Sequence, residues 1–449
     1  LYCGEAVSSA ISSRVIPVRD AGISALALVI KPLQAALAAP SLLYLATLTV
    51  MLFRPPDLEF FSLDRVAFVL LVAVVLLRAL LLRQSLTPPS AVIWPMAGLL
   101  VLVVGNLLSH PFDASLWSVA VAKYFVPFAM FYLSGLVFED EASVRRLETF
   151  VLVMLGYLSF TAIAFLVGVH SLVWPSFILD VSLGIQAERA RGPFLQAVAN
   201  GVTLNCLGLI ALDSYRRGRL RGVGMAALLG SLPVAILATK TRAVWLSFAV
   251  SMVVLLLRTP SARLRRVCLG LVAAGTLVVL VLAAGFHETD EAMQERLNDR
   301  NTVEFRLAAY RAGWQMFLDR PITGWGASQV RTEMENRLQG FRGQLTVVHN
   351  TYVEVMLEHG LIGFALYAWI IVGLFKLGAR SRTPDPGPSN GFLQPPCRPL
   401  WPLLLGVYFV NATFVVMNYQ FVNGLLFTLA GILARRGKAT GMEVGVRFA

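Results

Sequence analysis

The chain has 449 residues, of which 57% are hydrophobic and only 14% charged, and its mean hydropathy is +0.70. A soluble domain carries about 25% charged residues, and several apolar runs here approach or exceed the roughly 18 residues that a bilayer crossing needs. Composition thus excludes a soluble globular protein and predicts an all-α, polytopic membrane protein. The net charge of +12 is not a nucleic-acid signature, because most of the arginines sit in short loops between apolar runs, where positive-inside bias accounts for them. The four cysteines, Cys3, Cys206, Cys268 and Cys397, show no metal or redox spacing.

Residues 1–20 lack the basic, apolar and cleavage pattern of a secretory signal. Arg14 and Arg19 precede a long apolar stretch, 21–53, which Lys31, Pro32 and Pro40 interrupt. Further spans are predicted at 60–82, 91–108, 116–138, 147–169, 194–212, 223–238, 243–257 and 267–284. A polar segment, 285–348, follows, and then spans at 352–377, 400–417 and 421–433. The total is about twelve crossings. They divide into a membrane region over 21–284 with about nine helices, the segment 285–348, and a membrane region over 349–435 with about three. Arg145 and Arg146, then Arg216, Arg217, Arg219 and Arg221, then Arg258, Arg263, Arg265 and Arg266 fall in alternate loops. Lys376, Arg380, Arg382, Arg435, Arg436 and Lys438 continue the series, so this side is read as cytoplasmic, with both termini inside. The loop 383–399, rich in Pro and Gly, falls on the same side and carries no chemistry.

The outward segment is expected to be a compact helical cap, with nine acidic residues against eight basic ones. Residues 304–319 have helical composition, with Leu307, Tyr310, Trp314 and Leu318 near one face. Arg320-Pro321 stops that pattern, Gly324-Trp325-Gly326 reads as a tight turn with an aromatic anchor, and a second helix is expected over 327–338.

His349 stands where this segment re-enters the membrane. Its ordinary pKa of about 6.5 suits a general base for a hydroxyl, although a histidine here could also simply accompany Asn350 in capping the next helix. Glu358 and His359 lie deeper in the same span, where ionisable groups are costly. Arg189 and Arg191, and Lys240 and Arg242, break the positive-inside trend by facing outward. Such arginines either bind a fixed anion such as a pyrophosphate or snorkel to lipid phosphates. Arg306 and Arg311 in the cap are five residues apart and do not share a face, so one at most points at a ligand. Glu288, Asp290 and Glu291 form the nearest acidic cluster, with a solvated loop as its plain explanation, and no metal-ligand set is expected. Gly360 and Gly363 are expected to let a neighbouring helix approach closely.

On these residues the chain resembles the bacterial O-antigen ligases, within the wider group that includes O-antigen polymerases and protein O-oligosaccharyltransferases. The resemblance covers nearly the whole chain, and its most specific element is His-Asn, nine residues, then Gly-x-x-Gly, matched by His349-Asn350, Gly360 and Gly363. Arg191-Gly192-Pro193-Phe194 resembles the family's periplasmic Arg-Gly-x-Phe element, and Arg242 its span-opening arginine. Arg306, Pro321 and Gly324-Trp325-Gly326 resemble the arginine, proline and Gly-x-Gly of its loop helix. The chain departs from the family after Phe194, where Gln196-Ala197-Val198-Ala199-Asn200 stands in place of an Asn-Pro-Asn element.

The resemblance implies a multi-pass inner-membrane glycosyltransferase with its active site facing the periplasm. It would transfer O-antigen polysaccharide from undecaprenyl pyrophosphate to the outer core sugar of lipid A-core, completing lipopolysaccharide. The reaction would invert the anomeric centre and use no metal and no cofactor. His349 would be the general base, and Arg191, Arg242 and Arg306 would bind the donor pyrophosphate. Asn350, Arg189 and Asn200 would orient substrate. Polymerase or protein O-oligosaccharyltransferase activity on the same donor are alternatives. A lipid-linked glycan transporter would require discontinuous helices in both halves of a repeat, and no internal repeat is found in the sequence.

Overall fold

Asp113 and Asp140 mark two helix starts, because their carboxylates accept from the backbone N–H groups of Ser115 (2.8 Å) and Ser143 (2.8 Å). The computed structural model describes residues 34, 36–54, 62–184, 187–259, 261–285, 300–338, 348–379 and 400–439, and among these it is all-helical. Arg14, Arg19, Lys31, Pro32, the acidic cluster at 288–291 and the loop 383–399 lie outside the described residues.

The first half of the bundle comprises α1 (Pro40–Leu52), α2 (Leu63–Leu81), α3 (Ile93–Leu108), α4 (Ala114–Val137) and α5 (Glu141–Leu166). After short 3-10 turns come α6 (Ala197–Arg216), α7 (Gly222–Ala238), α8 (Arg242–Arg258) and α9 (Ala262–Gly285). The cap helices are α10 (Arg300–Asp319) and α11 (Ala327–Arg337), and α12 (Thr351–Ala379), α13 (Leu400–Asn411) and α14 (Gln420–Ala439) complete the fold. Four of these segments are long and apolar enough to cross a membrane: α4, α5, α6 and Thr351–Gly378 of α12. Four more, α1, α3, α7 and α13, are apolar but shorter. Helices therefore stand where crossings are predicted, while length and apolarity single out four of them.

Helix α14 packs tightly on the second half of α4, where a Cβ on Gly431 would lie 2.0 Å from the Phe131 carbonyl oxygen. The outer face of α2 exposes Val66, Val69, Leu70, Leu77 and Leu80, a continuous apolar stripe at helical spacing that water would not tolerate and lipid would. This is a membrane protein.

The two ends of the bundle differ. At one end Arg217 pairs with Asp213 (2.7 Å) and Glu148, and Arg219 bridges Glu148 (3.0 Å) and Glu141 (3.2 Å). Arg435 reaches Glu139 there (3.6 Å). These are arginines that the charge pattern groups on one side. At the other end the starts of α6, α8 and α12 meet the ends of α7 and α13. Ala190 N–H donates to Ala238 O (3.1 Å), the Phe194 and Tyr419 rings lie 6.3 Å apart, and Thr351 N–H donates to Ala412 O (2.9 Å).

Helices α10 and α11 fold against α12 around a small apolar core of Phe305, Ala309, Ala312, Met316, Met334 and Leu357. Residues 304–319 are helical, and Leu307, Tyr310, Trp314 and Leu318 share one face of α10. That face is exposed, and the face through Phe305, Ala309, Ala312 and Met316 is the one buried against α11 and α12.

Candidate functional site

His349 immediately precedes α12 and is half-buried. Asn350 is the helix N-cap: its side-chain oxygen accepts from the backbone N–H groups of Tyr352 (3.0 Å) and Val353 (3.2 Å). Thr351 anchors the next position, donating through Oγ1 to Val415 O (2.9 Å) and accepting from Met417 N–H (3.0 Å). Tyr352 donates to Phe409 O (2.7 Å). The head of α12 is thus tied to the chain following α13, which fixes the backbone that carries the imidazole. Burial, and then the positive charge of Arg306 on α10, push the His349 imidazole below its ordinary value. A neutral ring near pH 7 is the form that accepts a proton.

The cap and α12 are joined through backbone. Within α12, Gly360 has φ +61° and ψ −159°, a conformation essentially confined to glycine. Residues 321–326 enter the break. Trp325 N–H donates to Leu357 O (2.8 Å) and Gly326 N–H to Glu358 O (2.9 Å), while Leu361 N–H donates to Pro321 O (2.8 Å) and Ile362 N–H to Ile322 O (3.4 Å). The helix interruption is thus compensated bond for bond by the turn. Trp325 seats the turn: its Nε1 donates to Met316 O (2.7 Å), and the guanidinium of Arg320 lies over its ring at 4.2 Å. Arg337 stands on the ring at 5.6 Å and bridges Asp319 and Glu333, both at 2.6 Å. Gly360 therefore admits a loop, and the expected close helix approach is not its role. Gly363 clears His359, whose Cβ would lie 2.2 Å from a Cβ at that position.

Arg191 has a different setting from the one expected of a pyrophosphate ligand. It is fully buried, and its Nε donates to Ile178 O (3.0 Å) while its two terminal nitrogens donate to Leu183 O and Asp180 O. Asn200 is also fully buried; its amide donates to Ala190 O (2.8 Å) and its side chain packs on Gly192. Both residues shape the loop before α6. Arg189, on that loop, lies 3.4 Å from Glu188. Arg242 is the first residue of α8 and is exposed, at the end of the bundle where α6 and α12 begin. Arg191 and Asn200 thus hold one loop together, and His349 stands under the positive charge of Arg306.

One buried constellation was not read from the sequence. Lys123 sits in a π-helical turn of α4, Val121–Phe125, and its ammonium bonds Glu354 and Glu358 (3.3 Å) on α12. Glu358 lies 3.6 Å from His359 Nε2, and the His359 and Tyr124 rings are 6.0 Å apart. The signal was present: Lys123 is a lone charge inside a predicted crossing, and such a residue needs a named partner. Glu354 and Glu358, four residues apart, offer one face to it.

Residues 224–368 match the protein-family model described as O-antigen ligase. The chain carries an O-antigen ligase family region. The match runs from α7 into α12 and takes in Arg242, Arg306, His349, Asn350, Gly360 and Gly363, while Arg189, Arg191 and Asn200 precede it. The match supports a function of the O-antigen ligase or polymerase type in general. No curated protein aligns significantly with the chain.

Proposed function

We propose that the protein transfers O-antigen glycan from undecaprenyl pyrophosphate to the outer core sugar of lipid A-core, at the periplasmic face of the inner membrane. The observation that carries this reading is a half-buried, neutral-leaning His349 under the field of Arg306, within the family-matched region. A glycosyl pyrophosphate is already activated, so the enzyme needs a base on one side and positive charge on the other. His349 takes the proton from the acceptor hydroxyl, whose oxygen attacks the anomeric carbon from the face opposite the leaving group. The bond to pyrophosphate breaks with inversion, and undecaprenyl pyrophosphate departs with the electron pair. Arg306 and Arg242 stabilise the charge that develops there. Arg191 and Asn200 serve by holding the loop before α6, and Arg189 on that loop orients the glycan. Asn350 holds the helix head that aims the imidazole. The bundle end bearing His349 is the periplasmic one, about twelve segments cross the bilayer, and no metal takes part.

Reconstitution with lipid-linked O-antigen and separately supplied lipid A-core tests the reading. The expected product is O-antigen on lipid A-core, formed in excess chelator and lost in His349→Ala at matched expression. Elongation of lipid-linked glycan without transfer to lipid A-core would make the protein a polymerase. Loss of transfer in chelator, with rescue by a divalent ion, would defeat the metal-free mechanism.

A further inference from the structure

The half-helix that carries His349 cannot hold its own direction. Residues 351–359 form nine residues of helix before the break at Gly360, shorter than the roughly 12–15 residues that an isolated helix needs for stability. The break also uncouples them from the rest of α12, so their orientation must come from outside. Two supports are already described: Thr351 at the head, and residues 321–326 at the foot. The third is Lys123, which meets Glu354 and Glu358 on one flank and is almost wholly buried.

Lys123 is itself held firmly. The π-helical turn leaves the Ala122 carbonyl oxygen to accept from Asn423 Nδ2 on α14 (3.2 Å). The same Nδ2 donates to Met417 O (3.0 Å), and Asn423 Oδ1 accepts from Tyr408 (2.6 Å). Met417 in turn donates its N–H to Thr351 Oγ1 (3.0 Å). A closed circuit thus runs from Thr351 through Met417, Asn423 and the π turn to Lys123, and back to α12 through Glu354 and Glu358. Buried ion pairs contribute little net stability, but removing one partner is costly, so their attested use is to select one arrangement over others.

We propose that Lys123 is a positioning residue for the transfer reaction, fixing the direction of the half-helix 351–359 and so the approach of His349 to its substrate, through a buried ion lock to Glu354 and Glu358. This rests on the assignment of His349 as the base. A displacement of about 1 Å at a reacting group can lower rate by roughly a hundredfold, so the lock acts on turnover and leaves donor affinity to the arginines.

The test uses the full-length protein in proteoliposomes, with kinetics against lipid-linked donor and hydrogen exchange of the 351–359 amides. Lys123→Met alone strands two buried carboxylates and risks misfolding, so the informative variant combines Lys123→Met, Glu354→Gln and Glu358→Gln. It should fold, with exchange over 351–359 rising about tenfold while 197–216 stays unchanged. Its kcat should fall roughly tenfold or more with KM for donor within about twofold. Exchanging the charges, Lys123→Glu with Glu354→Lys, keeps one ammonium between two carboxylates and should recover most of kcat. Faster exchange with unchanged kcat would make the lock purely structural and overturn the proposal. Unchanged exchange, or no recovery on charge exchange, would also overturn it. Full transfer by His349→Ala would instead remove the base assignment, while exchange would still report whether the lock exists.

Discussion

Replacing Gly360 by alanine probes the joint between cap and membrane helix. An added Cβ would stand 2.3 Å from the Ile322 carbonyl oxygen, 2.4 Å from its carbon and 2.7 Å from Gly324 N, all backbone atoms with no rotamer to escape into. The φ of +61° with ψ −159° is also closed to alanine, at about 1–3 kcal/mol for a residue forced to stay there. The alternative is for the helix to straighten and expel residues 321–326. That sacrifices the four hydrogen bonds that cross the break, each contributing about 0.5–1.5 kcal/mol net. The first route costs about 1–3 kcal/mol before the backbone clash is relieved, and the second about 2–6 kcal/mol if all four bonds are lost, in the upper range for single substitutions. Gly406 on α13 supplies the control, since nothing lies within 4 Å of its added Cβ, and Gly406→Ala should be neutral or slightly stabilising. Thermal unfolding in detergent, with hydrogen exchange at 321–326, reads both variants. If Gly360→Ala unfolded within a degree of wild type and kept protection at Trp325 and Gly326, the inserted-loop account would be wrong.

Three further outcomes follow from the site. The His349 imidazole lies below its ordinary pKa, first through burial and then through Arg306. Its neutral form is therefore retained to lower pH than for a free histidine, and kcat should be flat near pH 7 and fall only below about pH 6.5. Arg306→Gln should move that acid limb to higher pH, and an unmoved limb in a pH series of kcat would disconnect the pair. Arg191→Met strands the carbonyls of Ile178, Asp180 and Leu183 and should destabilise the protein by about 3–5 kcal/mol. A normally stable Arg191→Met protein with only a raised donor KM would return Arg191 to pyrophosphate binding. Asn350→Ala should lose about 1 kcal/mol of helix capping, whereas Asn350→Ser should keep both the cap and transfer. Loss of transfer in a stable serine variant would show that the amide touches substrate.

Periodicity and charge made the helices legible, because apolar runs bounded by Arg, Pro and Gly map directly onto segments such as Glu141–Leu166 and Ala197–Arg216. The position of His349 was legible for the same reason, since a motif at a loop-to-helix junction needs no tertiary information. The role of Arg191 was not. An outward arginine looks the same in sequence whether it awaits a phosphate or is filled by three carbonyls of its own loop. The α10 helix was legible, but which of its faces is buried was not. Leu307, Tyr310, Trp314 and Leu318 share one face and Phe305, Ala309, Ala312 and Met316 another, and only packing shows that the second is covered. Gly360 and Gly324 belong to motifs 36 residues apart, and only the fold reveals that each glycine exists to admit the other's backbone.

That pairing explains why two otherwise unrelated motifs occur in one chain. A continuous α12 would bury all its own hydrogen bonds and leave the cap joined to the membrane region by side chains alone. Interrupting it at Gly360 exposes two carbonyls and two N–H groups, and the turn after α10 meets all four. Because α10 also carries Arg306, the clip sets the register between that charge and His349. A side-chain contact could slide; a ladder of backbone bonds across a glycine-only conformation has one register. The interruption thus gives up helical continuity at one point and in exchange fixes an imidazole and a cation that are 43 residues apart in the chain. On this argument the Gly-x-Gly turn and the His-Asn, Gly-x-x-Gly helix are two halves of one structural unit, and a change in either half should disturb the pH dependence that Arg306 imposes on His349.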